Sequence, residues 1–189
     1  MTTGIVSEHG ALPLAPYEHP KNPFIRLMLA AARRRYGKEP TAFRVLYPRF
    51  PWLALVSAVL YSVLEFATRI GVDLASLLQV STSMRNGCTF CSDIVMAEAA
   101  RRRVGRERFA ALLEFESSPL FTPREKAALA YTSAIAESLH VSDAVWARLA
   151  QHFSERERIE IVWVCAVERY FNSMALPLRI GSDHLSDPR

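Results

Sequence analysis

What most constrains this 189-residue chain is its punctuation. Apolar residues recur at three- and four-residue steps, and the runs open on proline or a Ser/Thr cap and close on glycine. Pro23 suits a first helical position, with Phe24, Leu27, Met28 and Ala31 on one face before Gly37 stops the run. A second helix is expected from Pro51 to before Gly71, a third from Asp73 to about Arg85, and a fourth from Thr89 to Val104, ended by Gly105. Thr122-Pro123-Arg124-Glu125 and Ser154-Glu155-Arg156-Glu157 each set a hydroxyl three residues before a glutamate, the reciprocal cap that opens a helix. The first should run to about Ser138. The second carries Ile161, Val164, Cys165 and Glu168 toward Leu176, and Ser142 to Phe153 makes a short helix between them. No run of alternating β-branched residues argues for a sheet. The reading is all-α, with about seven helices.

Upstream, Pro13, Pro16 and Pro20 forbid a helix, so residues 1–22 read as an extended arm lying on the body or on a neighbouring subunit. Residues 23–189 then form a single all-helical domain. Half of the residues are hydrophobic, enough for one core and too many for a disordered chain. With 23 basic and 19 acidic residues the net charge is +4, too mild to indicate a nucleic-acid partner. Arg33 to Arg35 and Arg101 to Arg103 fall in last helical turns, where cations suit the negative dipole end. The most apolar stretch, Trp52 to Leu64, is interrupted by Glu65 and falls short of the ~20 residues that span a bilayer. Met1 to Gly10 lacks the charged-then-apolar order of an export signal. The expectation is a cytoplasmic protein with no membrane partner.

In such a reducing compartment a close cysteine pair suggests redox chemistry or metal binding rather than a staple. Cys88-Thr89-Phe90-Cys91 follows the Gly87 break at a helix start, where unpaired N–H groups favour a thiolate. Lowering a thiol pKa from ~8.5 to ~7 raises the thiolate fraction at neutral pH from about 3% to about half. The three-residue step keeps both sulfurs on one face, in reach of a disulfide. A redox pair in a wet, electropositive pocket is one reading. The other is two small residues packed in a core. A structural zinc site needs four ligands, and Cys165, His140, His152 and His184 lack the spacing. A thioredoxin setting needs strands. Cys165, among Val162, Val164 and Val167, reads as core, and Trp52, Trp146 and Trp163 as core or interface anchors.

The segment Asn86-Gly87-Cys88-Thr89-Phe90-Cys91-Ser92-Asp93, with Phe121-Thr122-Pro123-Arg124-Glu125, Phe153-Ser154-Glu155 and the ending Tyr170-Phe171-Asn172 to Arg179-Ile180-Gly181, resembles the carboxymuconolactone decarboxylase-like superfamily in its alkylhydroperoxidase D-like branch. The resemblance spans about Asn22 to Ser182. It implies an alkylhydroperoxidase D-like helical fold that assembles as a homo-oligomer (dimer, trimer or hexamer). It also implies peroxide reduction at a redox-active Cys88 and Cys91, with a dithiol reductant and no metal, flavin or other cofactor. Two positions depart from the family pattern. Val95 stands where peroxidase-active members carry His, and Ser76 where they carry Glu. A positioned base contributes ~10²–10⁴ in rate, so a substitute is needed. Glu98, seven residues past Cys91 on the same face, is a candidate relay, although the favoured reading for it is a solvated surface carboxylate. Asp93 faces elsewhere and suits the first-turn dipole. The alternative function is a non-peroxidase relative, either a redox sensor or a helical assembly protein. The lactone-decarboxylating branch is disfavoured, since its chemistry needs no dithiol.

Overall fold

The computed structural model describes residues 6–7, 10–102 and 104–187. Among the described residues the elements are a two-rung antiparallel ladder, β1 (Val6–Ser7) with β2 (Gly10–Ala11), followed by nine α-helices. These are α1 (Pro23–Tyr36), α2 (Thr41–Leu46), α3 (Pro51–Phe66), α4 (Val72–Asn86), α5 (Thr89–Arg101), α6 (Arg106–Ala110), α7 (Pro123–Glu137), α8 (Asp143–Ala150) and α9 (Glu155–Ala175). The all-α reading holds, and the count of about seven is corrected to nine. The two additions, α2 and α6, have six and five residues, too few to show a period of 3.6.

Local chemistry accounts for most boundaries. The Asn22 carboxamide accepts from the Phe24 and Ile25 N–H groups at 2.9 and 3.4 Å, and Gly37 closes α1 at φ 81°. Both capping boxes form, Thr122 with Glu125 and Ser154 with Glu157. Where expectation and structure differ, a distant group decides. Helix α3 stops at Phe66 rather than near Gly71 because the Glu160 carboxylate of α9 accepts the Arg69 and Ile70 N–H groups at 2.6 and 3.2 Å. Helix α5 ends at Arg101, with Val104 N–H folding back to the Ala99 carbonyl, and Arg103 lies outside the described residues. In the arm, residues 1–5 and 8–9 are likewise outside the described residues. Farther along, the Tyr17 N–H donates to the Arg44 carbonyl at 3.1 Å, and Arg49 donates to the Ala15 carbonyl at 2.9 Å.

Helix α4 is the axis of the main core, packed by α5, α7 and α9, with every residue from Leu74 to Ser83 buried. Each fully buried Leu, such as Leu77, Leu78 or Leu129, contributes ~1.5–3 kcal/mol by leaving water. This helix also buries hydroxyls and amides, and tertiary partners satisfy several of them. Ser81 meets Thr132 of α7 at 2.7 Å, and Gln79 and Ser83 meet Glu168 of α9. A smaller cluster, Ile25, Leu29, Tyr47, Leu53 and Ala54, joins α1, α3 and the end of α2, with Tyr170 and Met174 of α9 against it.

Candidate functional site

The cysteine pair sits where α4 turns into α5. Gly87 adopts φ 74°, which lets the Cys88 N–H reach back to the Ser83 carbonyl at 2.9 Å and end α4. Cys88 is therefore the N-cap of α5, and its sulfur accepts the Cys91 N–H at 3.4 Å. A disulfide joins Cys88 and Cys91 across a Cα separation of 5.3 Å. Bonding between the two sulfurs is thus geometrically allowed, as their spacing suggested.

Their surroundings differ from expectation. Cys88 is 1% exposed and Cys91 3%. Cys91 borders a cavity of about 30 Å³, walled largely by apolar and aromatic side chains such as Leu46, Phe90, Ile94 and Phe171. Among the described residues no Lys, Arg or His lines it, so the wet, electropositive pocket is corrected to a small, largely apolar one. The helix start remains the local source of positive potential.

One acid does line this cavity, Glu168 of α9. It is 1% exposed and accepts three hydrogen bonds, from Gln79 Nε2 at 3.1 Å, Ser83 Oγ at 2.5 Å and Asn172 Nδ2 at 3.1 Å. Asn172 in turn accepts from Asn86 Nδ2 at 2.7 Å, which ties the carboxylate to the residue before Gly87. Burial pushes the Glu168 carboxyl up to about 7, against the pull of its three donors. Sequence reasoning passed over Glu168. The signal was its place on the stripe Ile161, Val164, Cys165, Glu168, which buries an acid on an apolar face.

A second, more open cleft of about 210 Å³ adjoins the first, and Phe43 and Tyr61 line both. Ser76 and Val95, the two departures from the family pattern, line this cleft, as does Glu98. Glu98 lies off the cysteine cavity and is gripped by Arg35 through Nε at 2.6 Å and through Nη2. Burial alone would raise its carboxyl, but the hydrogen bonds from Arg35 and Tyr36 hold it below the ordinary range. At the same cleft Arg102 pairs with Glu65.

The other candidates separate cleanly. Asp93 is buried and binds the chain's end, accepting from Ser182 Oγ and from the N–H groups of Asp183, Leu185 and Ser186 at 2.8–3.1 Å. Cys165 is a free, fully buried thiol, pushed up to about 12 by desolvation. His140 is exposed, and His184 pairs with Asp187 at 3.3 Å. Trp146 packs on Tyr131, while Trp52 is exposed. Among the described residues no three His, Cys, Asp or Glu side chains converge as a metal site, and no helix is long and apolar enough to cross a membrane.

Residues 51–134 match the carboxymuconolactone decarboxylase family. The protein YnjA of Escherichia coli (strain K12) is 28% identical over 152 residues, covering 77% of this chain and 82% of YnjA. A cysteine-to-alanine variant of the debrominase Bmp8, in complex with 2,3,4-tribromopyrrole, shares the fold with a TM-score of 0.80 at 21% identity, over 92% of this chain and 93% of that one. The alkylhydroperoxidase AhpD core of a peroxidase-related protein from Ralstonia eutropha JMP134 does so with a TM-score of 0.76 at 18% identity, over 93% and 96%.

Proposed function

We propose that this chain, which matches the carboxymuconolactone decarboxylase family over residues 51–134 and shares the fold of the alkylhydroperoxidase AhpD core, is a thiol-dependent, peroxidase-like oxidoreductase cycling Cys88 and Cys91 between dithiol and disulfide. The observation that carries the reading is a bondable sulfur pair at a helix start, with Cys91 facing a cavity next to an open cleft. Peroxide enters by the cleft, past Phe43 and Tyr61. The Cys91 thiolate attacks the O–O bond, an S–O bond forms, and the departing alkoxide takes a proton to leave as alcohol. Cys88 then attacks the sulfenic acid, releasing water and forming the disulfide. An external dithiol, kept reduced in a compartment such as the cytoplasm, restores both thiols by two exchanges.

The test is peroxide turnover with a dithiol reductant. Cys88→Ser and Cys91→Ser are each expected to abolish it. If wild-type turnover only equals that of the double variant, the pair belongs to a redox sensor or a helical assembly protein instead. The debrominase likeness supports a second use of the same dithiol, in which an aryl bromide and two thiols give the arene, the disulfide and hydrogen bromide. A brominated pyrrole in the same assay separates the two. A homo-oligomer is part of the proposal, supported by Trp52, Val56, Val59 and Phe66, which are 69%, 48%, 62% and 80% exposed on α3.

A further inference from the structure

Two facts of geometry meet at the cysteine cavity. Cys91 approaches it from α5 and Glu168 from α9, on walls of one space of about 30 Å³. That volume admits a water molecule, and a carboxylate and a thiol are the polar partners such a water needs. The residues at the family's relay positions, Ser76 and Val95, line the neighbouring cleft and carry no ionisable group. Glu98, also in the cleft, is engaged by Arg35.

We propose that Glu168 is the proton relay for Cys91, reaching it from α9 across the shared cavity. The inference rests on the peroxidase-like reading and names the group that moves its proton. As carboxylate, Glu168 takes the Cys91 S–H proton through one bridging water while the sulfur attacks the peroxide. The same proton then passes to the alkoxide released from the broken O–O bond. Thiol and hydroperoxide thus become sulfenic acid and alcohol with no net proton uptake. When the external dithiol reduces the disulfide, a thiol proton of that reductant passes through Glu168 to the Cys91 thiolate as it is released.

The three donors explain why this acid can serve. Gln79, Ser83 and Asn172 fix the carboxylate in place, and burial leaves it near neutrality, where a relay is most effective. The titratable groups around it are few. Tyr61 of α3, Tyr47 after α2 and Tyr170 of α9 line the same cavity, and Cys165 lies one turn back on α9. Burial holds the Tyr61, Tyr47 and Cys165 protons above the physiological range, so these three do not compete.

The experiment reads Cys91 directly. In a Cys88→Ser variant, the rate of Cys91 alkylation by iodoacetamide, located by mass spectrometry, is followed from pH 5 to 10. A coupled relay gives two steps, one near pH 7, and Glu168→Gln leaves one. In the otherwise unaltered chain, Glu168→Gln is expected to lower peroxide turnover at pH 7 by about 10²-fold or more. Glu160→Gln, a change to another buried carboxylate, is expected to leave the alkylation profile two-stepped. Turnover within twofold of wild type and an unchanged profile for Glu168→Gln overturn the relay. So does a single step in the Cys88→Ser chain with Glu168 intact, a result that needs no Glu168 variant to fold. Because alkylation needs no peroxide, failure of the peroxidase reading and failure of the relay are read separately.

Discussion

A carboxyl sealed at 1% exposure and raised to about 7 makes the folded state depend on pH. The unfolded chain returns Glu168 to its ordinary value of 4.5. Between those values the folded state binds more proton than the unfolded one, so stability falls as pH rises through about 7 and is fully present below 4.5. Glu168→Gln, which keeps an acceptor but no charge, is therefore expected to stabilise the protein at pH 8 by up to about 3 kcal/mol. That gain should fade toward pH 4.5, and thermal melts across the range check it. Cys165 gives a second prediction. Desolvation keeps its thiol protonated, whereas Cys88 and Cys91 sit at a helix start that favours thiolate, so alkylation of the reduced native protein should count two reactive thiols, and denaturation should release the third.

At the scale of elements, the chain's end is fastened by one side chain. Asp93 accepts four hydrogen bonds from residues 182–186, and the Asp183 carboxylate accepts from the Thr41 N–H and hydroxyl, each at 2.6 Å. Helix α2, which supplies Phe43 and Leu46 to the cysteine cavity, is thus tied through the tail to α5. Removing the carboxylate in Asp93→Ala strands three backbone N–H groups, a loss of about 3 kcal/mol. For a chain of this size the melting temperature should drop by about 6–12 °C. Gly87 is the matching backbone device. Gly87→Ala meets no steric neighbour but forces an L-residue to φ 74°, so it should cost about 1 kcal/mol by denaturant titration. The capping boxes and the Gly87 turn were legible because their partners lie within a few residues. The stop of α3 by Glu160 and the clasp of Asp93 were not, because each joins positions about 90 residues apart.

At the largest scale, the apolar stripe of α3 is left uncovered by the described residues, with Trp52, Leu55, Val56, Val59 and Phe66 on the outside. Such a face suits a second copy, in line with the proposed homo-oligomer. Val59→Glu should shift sedimentation toward the single chain while leaving helical content unchanged. A sedimentation coefficient unaltered by that charge would place the subunit contact elsewhere or remove it.

The all-helical class, the cap-to-glycine boundaries and the bondable Cys88–Cys91 pair follow from the amino-acid order alone, since each depends on contacts one or two turns apart. The environment of the sulfurs did not. A helix start promises an exposed, polar thiol, yet α9 and the aromatic side chains of α2 and α3 close over it. Glu168 joins the cavity for the same reason. Its neighbours Gln79 and Ser83 lie 89 and 85 residues away, and only the packing of α4 against α9 brings them within hydrogen-bonding distance.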